Sequence, residues 1–284
     1  MKVRGSAAST AAPIGVFDSG LGGLTVVRQL QIALPDERII YVADQAHVPY
    51  GGRDLKEVCG FACGISQALL YYGCKAVVMA CNISSATGLP HVQAEHRGVP
   101  VLGVIEPGAK TAASQTRNRR VGVLATEGTV RSGAYTRTLR ALDPALHVIE
   151  IACPDFVPLV ESEQEDTPAA LDAAHRYLSP LQQADVDTVV LGCTHYPFLL
   201  SQLQRVAPDV TFIDPAIAAS LELRKLLSTQ SLCADERILP HLLTTTGDPA
   251  AFAHQLTRFL PNTDAAIAVA YWHNGTLEIN HPLR

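Results

Sequence analysis

The sequence predicts an α/β fold. It reads as two similar α/β domains with mostly parallel sheets, pseudo-symmetric, with the candidate site in the cleft between them. Three observations predict this. Short β-branched runs alternate with longer Ala- and Leu-rich stretches. The apolar runs span four or five residues without polar alternation, as strands covered on both faces by helices do. The first half of the chain is also echoed, in order, by the second.

In chain order, residues 14–17 form the first apolar run and predict a strand, followed by helical spacing over 24–34. A strand at 39–43 precedes a long helical pattern at 56–72, which runs to the next strand, 76–80. Strands follow at 101–104, 121–124 and 147–152, then helical spacing at 169–184 and strands at 188–191 and 211–213. Alternation of this kind implies βαβ units. Gly15-Val16-Phe17-Asp18-Ser19-Gly20 resembles Gly122-Val123-Leu124-Ala125-Thr126-Glu127. The segments 40–44 and 48–49 resemble 149–153 and 157–158, and Val77-Val78-Met79-Ala80-Cys81-Asn82 resembles Val189-Val190-Leu191-Gly192-Cys193-Thr194. The later half ends near Asp214. The remainder is expected to pack back on the first half, with a strand-like run at 265–272. The expected domains are therefore 13–104 with 215–284, and 105–214, after a disordered tail at 1–12.

Composition narrows the class. At 284 residues, 48% hydrophobic and 17% charged, the chain is globular and long enough to bury a core without staples. A net charge of -5 supplies no broad field for nucleic acid or an anionic membrane. No apolar run is long enough for a membrane span, and the N-terminus carries Lys2 and Arg4 without an apolar signal core. Seven scattered cysteines with no Cys-x-x-Cys pair read as reduced thiols in a cytoplasm, with no metal site expected.

Ligands of open parallel sheets sit at the carboxyl ends of the strands. The repeat places Cys81 and Cys193 at equivalent strand ends, each before a predicted helix whose N–H groups would acidify a thiol. A single cysteine at a strand end is most often a small buried apolar residue, and Cys59, Cys63, Cys74, Cys153 and Cys233 are read that way. A repeat-related pair instead suits a redox couple, two metal ligands or two acid–base groups. The glycines after Asp18 and Ser19 allow close approach of an anion, but the spacing is not a dinucleotide fingerprint. Ser19 is either a helix cap or a ligand contact. Asp18 is either an acceptor for backbone donors or a group that orients or deprotonates a neighbour. Pro49-Tyr50-Gly51-Gly52 reads as a turn. His195 stands two residues after Cys193 and is able to tune its proton. Glu161 either begins a solvated helix or holds a histidine.

These motifs resemble those of the glutamate racemases, in the cofactor-independent aspartate/glutamate racemase superfamily. The resemblance runs over 13–272, through Gly15–Leu24, Val48-Pro49-Tyr50-Gly51, Ala80-Cys81-Asn82, Glu106-Pro107-Gly108, Phe156–Glu161 and Leu191-Gly192-Cys193-Thr194-His195-Tyr196-Pro197. Thr194-His195 favours the glutamate over the aspartate branch. The resemblance implies glutamate as substrate, D-glutamate supplied to peptidoglycan, and no cofactor. It implies that Cys81 and Cys193 act on opposite faces of the α-carbon, that Asp18 assists Cys81, and that His195, supported by Glu161, assists Cys193. Asp18, Ser19, Tyr50, Gly51, Asn82, Ile83, Thr194 and His195 fall at substrate-binding positions. None of the five lysines falls in a matched motif, as a pyridoxal Schiff base would require. No nucleic-acid or membrane partner is expected, and a homodimer is left open. One departure stands out. The family usually has Thr where this chain has Ile83, and Ser84-Ser85 follow as replacement hydroxyls. Racemisation of another acidic amino acid such as aspartate, or weak binding alone, is the alternative that Ile83 raises.

Overall fold

The computed structural model describes residues 9–280. Seven strands form one sheet: β1 (Ile14–Asp18), β2 (Ile39–Ala43), β3 (Ala76–Met79), β4 (Val101–Gly103), β9 (His241–Thr245), β10 (Ala265–His273) and β11 (Thr276–Asn280). Their order is β11-β10-β9-β2-β1-β3-β4. Four strands form the second sheet: β5 (Arg120–Ala125), β6 (His147–Ala152), β7 (Thr188–Gly192) and β8 (Thr211–Ile213), in the order β6-β5-β7-β8. All pairings are parallel except β10 with β11.

The order β2-β1-β3-β4 is the same path as β6-β5-β7-β8, so the sequence repeat is a repeat of topology. The central strands β1, β2, β3 and β7 are buried along their whole length. That burial is why they read as unbroken apolar runs. Helices cover them: α1 (Leu24–Ala33), α2 (Leu55–Tyr71) and α3 (Asn82–Glu95) in the first half, while α4 (Ile105–Gln115) packs on β7 and β8 of the second sheet. The second half adds α5 (Glu127–Ser132), α6 (Ala134–Leu142), α7 (Phe156–Glu161), α8 (Pro168–Gln183) and α9 (Leu200–Val206). Then α10 (Pro215–Thr229) leads back to the first sheet, with α11 (Pro249–Phe259) between β9 and β10. Aspartates cap three of these helices: Asp54, Asp214 and Asp248 each accept from a backbone N–H of the first turn.

The returning segment contributes three strands, where one was expected. β9 is polar in composition, yet fully buried, because Thr244 donates to the Tyr41 carbonyl and Thr245 to Gln45. β11 joins β10 through Asn274-Gly275, whose φ angles of 49° and 78° fit a tight hairpin turn. The expected tail 1–12 lies outside the described residues up to residue 8. Ser9–Ala12 make a turn, with Ala12 N–H on the Ser9 carbonyl at 3.0 Å. That turn is held by Lys75, whose Nζ reaches the carbonyls of Thr10 and Leu232 and pairs with Glu37 at 2.6 Å, fully buried. Among the described residues no helix is long and apolar enough to cross a membrane.

Candidate active site

The carboxyl ends of both sheets face one cavity of about 450 Å³, a size typical of small-molecule sites. Asp18, Ser19, Tyr50, Gly51, Cys81, Asn82 and Ile83 line it from the first sheet, and Glu161, Cys193, Thr194 and His195 from the second. A larger groove of about 640 Å³ runs between α3, α4 and α10. It holds no thiol, and its Lys110 is paired with Glu106 at 2.9 Å and Glu222 at 3.3 Å. Glu106 and Pro107 of the Glu-Pro-Gly motif line that groove and not the cavity.

On the first wall, Asp18 ends β1 and Cys81 ends the β3 segment at the N-cap of α3. Asp18 Oδ2 accepts from Gly23 N–H at 2.6 Å and from the Thr194 hydroxyl at 3.2 Å. Its Oδ1 is buried without a well-formed hydrogen bond, and the Cys81 thiol lies within its reach. Burial raises the Asp18 carboxyl above the usual carboxylate range, against the opposing pull of His195 and of its N–H donors. Burial, and then the Asp18 charge, pushes the Cys81 thiol far up. The helix N-terminus was expected to acidify this thiol. Desolvation outweighs it.

On the second wall, His195 Nδ1 lies 3.9 Å from Cys193 Sγ. Its Nε2 lies 3.3 Å from Glu161 Oε1, close enough for an ion pair but not aligned as a hydrogen bond. Burial opposes a charged imidazole here. The Cys193 and Glu161 partners and the Asp18 charge outweigh burial and bring His195 up to about 10. His195 therefore holds its proton more strongly than a free imidazole does. Cys193 leads into the expected helix, which opens as a 3-10 turn at Tyr196–Leu199 containing Pro197 and continues as α9. The cavity therefore opposes a carboxylate-backed thiol to an imidazole-backed one.

Several residues play parts that differ from the sequence expectation. The glycines after Ser19 were expected to admit an anion. A Cβ on Gly22 would instead lie 2.3 Å from Thr194 Oγ1 and 2.5 Å from His195 Nδ1, and one on Gly23 would lie 2.4 Å from Asp18 Cβ. Their bareness lets β1's turn pack on the opposite wall. Tyr50 lines the cavity, and its hydroxyl proton is committed to Asp44 at 2.5 Å. Ser85 does not replace the hydroxyl missing at Ile83: it donates to the Met79 and Cys81 carbonyls, each at 2.9 Å. Ser84 is fully buried beside the Cys81 thiol. Asn82 is held by Tyr135, whose hydroxyl donates to Asn82 Oδ1 at 2.7 Å.

Thr126, Thr129 and Cys153 also line the cavity and were not expected there. For Thr126 the signal existed, since the repeat aligns it with Ser19. Among the described residues, no group of three or more His, Cys, Asp or Glu side chains is arranged to hold a metal ion.

A family model described as Asp/Glu/Hydantoin racemase matches residues 16–222. The chain belongs to the Asp/Glu/hydantoin racemase family. Glutamate racemase from Microcystis aeruginosa is 43% identical over 253 residues, 89% of each chain. The crystal structure of a glutamate racemase isoform from Bacillus anthracis superposes with a TM-score of 0.87 at 37% identity, covering 94% of this chain and 99% of that one. Glutamate racemase from Francisella tularensis, in complex with D-glutamate, superposes with a TM-score of 0.86 at 32% identity, covering 93% and 98%. The racemase match spans both copies of the repeat, and so both walls of the cavity.

Proposed function

We propose that this chain interconverts L- and D-glutamate by a cofactor-independent, two-base proton transfer. The observation that carries the reading is the pair of thiols on facing walls, each with its own and opposite partner. Stereoinversion needs a base on one face of the α-carbon and an acid on the other. With D-glutamate, Cys81 as thiolate takes the α-proton, and the Cys193 thiol returns one to the opposite face. With L-glutamate the roles exchange. Asp18 is the group placed to accept the Cys81 thiol proton, and its raised proton affinity suits that exchange. His195, oriented by Glu161, supplies charge and a proton beside Cys193.

The carbanion is stabilised by donors fixed around the carboxylates. The Ser19 hydroxyl, whichever of the paired Thr126 and Thr129 hydroxyls does not donate to the other, the Asn82 amide and the N-terminus of α3 are the available donors. Relatives named as glutamate racemases, one solved with D-glutamate, support glutamate as the substrate. The product would serve peptidoglycan synthesis in the cytoplasm.

Ile83 favours a second reading, in which the preferred substrate is aspartate or the site binds glutamate weakly. Its side chain is apolar where a hydroxyl was expected, and it is wedged against Gly128 of the opposite half: a Cβ there would lie 2.3 Å from Ile83 Cδ1.

The test is to incubate purified protein with each enantiomer of glutamate and aspartate, without cofactor, and follow optical rotation. Racemisation of glutamate is expected. In D₂O, deuterium should enter mainly the newly formed enantiomer, because the returning thiol is not the one that took the proton. Equal early labelling of substrate and product would indicate one shared base and refute the two-thiol step.

A further inference from the structure

Tyr50 and Gly51 reach the cavity on a loop, residues 47–53, that belongs to no regular element of the first sheet beyond a short turn. What holds that loop is Asp44, the residue after β2. Asp44 is fully buried and carries four side-chain donors. Its Oδ2 accepts from the Tyr50 hydroxyl at 2.5 Å and lies 2.8 Å from His47 Nδ1. Its Oδ1 accepts from Thr246 Oγ1 at 2.9 Å and from Trp272 Nε1 at 2.7 Å. A buried carboxylate is costly unless its lone pairs are filled, and here the filling is complete. Two of the donors sit on the cavity loop. The other two come from the segment that returns to the first sheet.

Ring packing supports the same clamp. His47 stacks on Phe61 with centroids 4.0 Å apart and meets Trp272 edge-on at 5.4 Å. The loop in turn reaches the opposite half, where a Cβ on Gly51 would sit 3.3 Å from Thr126 Cβ.

We propose that Asp44 is a positioning residue for the substrate: through Tyr50 it holds loop 47–53 in the form that completes the cavity wall. The inference rests on the glutamate reading above. Asp44 does not touch the cavity, so its effect is on the fraction of molecules with the loop in place. Apparent affinity falls in direct proportion to that fraction.

The experiment compares wild type, Asp44→Asn, Tyr50→Phe and the double variant as full chains, with kcat and KM for D- and L-glutamate. An amide offers too few acceptor sites for four donors. Each single variant is expected to raise KM about tenfold, the scale of one hydrogen bond to a charged group, with kcat within about threefold. The double variant should be no worse than the poorer single, because both cut one linkage. Trp272 is the chain's one tryptophan, so its emission spectrum should shift in Asp44→Asn and stay unchanged in Tyr50→Phe. Additive losses in the double variant, or unchanged KM in both singles, would overturn the inference. Should Asp44→Asn fail to fold, Tyr50→Phe alone decides: an unchanged KM overturns it. Wild type that turns over no glutamate overturns this inference and the functional reading together; wild type that racemises glutamate with additive variants overturns this one alone.

Discussion

Replacing Ile83 by threonine tests how the cavity departs from its relatives. Ile83 is 3% exposed and packs with Tyr50, Val58 and Cys81. Its Cδ1 fills the space over Gly128, so the change removes a contact between the two halves. Losing one buried methyl costs about 0.5–1.5 kcal/mol. Turning a second into a hydroxyl costs about 1–3 kcal/mol unless it finds a partner. The empty protein should therefore lose about 1.5–4.5 kcal/mol, or roughly 3–18 °C in Tm. Neither Ser84 nor Ser85 lines the cavity, so the new hydroxyl adds a donor that nothing now supplies. A hydrogen bond to a carboxylate contributes about 1.5–3 kcal/mol, which lowers KM for glutamate roughly 10- to 150-fold. kcat should change less, because the contact is made in ground and transition states alike. Steady-state kinetics on glutamate and aspartate, with melting curves, are the assay. Ile83→Val is the control, since it opens the same space without a hydroxyl. If valine lowers KM as much as threonine, or if threonine leaves glutamate kinetics unchanged and damages turnover of aspartate, the hydrogen-bond account is wrong.

Three further outcomes follow from the geometry. Cys81→Ser and Cys193→Ser should each nearly abolish turnover in both directions, because each direction uses both walls; a variant that keeps one direction at wild-type rate would contradict this. His195, held at about 10 against an ordinary 6.5, contributes stability that is fully present below pH 6.5 and lost as pH rises towards 10. Melting temperatures from pH 6.5 to 10.5 should thus fall more steeply for wild type than for His195→Asn, and parallel curves would count against a charged His195. Lys75→Met strands the buried Glu37 carboxylate and should cost about 3–5 kcal/mol in urea unfolding. Adding Glu37→Leu should recover part of that loss, because the unpaired charge is then gone.

Much of the scaffold was legible because burial leaves a local imprint. Strands covered on both faces must be apolar throughout, so β1, β2, β3 and β7 stood out, and a duplicated path left duplicated strand ends. The same duplication pointed to Cys81 and Cys193 before any coordinates. β9 was not legible: its threonines satisfy their hydroxyls on Tyr41 and Gln45, partners distant in sequence for Tyr41 and Gln45 alike. β11 was signalled by Asn274-Gly275 and overlooked. Composition and order thus determined the fold class, the two-sided cleft and its facing cysteines, while the family resemblance pointed to most of the other wall residues. Tertiary structure alone decided their chemistry. Burial and Asp18 push one thiol up, while Cys193, Glu161 and Asp18 gather around His195 and raise its proton affinity. Tyr50 spends its hydroxyl on Asp44, and Gly22 and Gly23 make room for Thr194, His195 and Asp18. The reason is physical: proton affinity and hydrogen-bond availability depend on desolvation and on neighbours brought from the far half of the chain, and neither is written in a residue's local sequence.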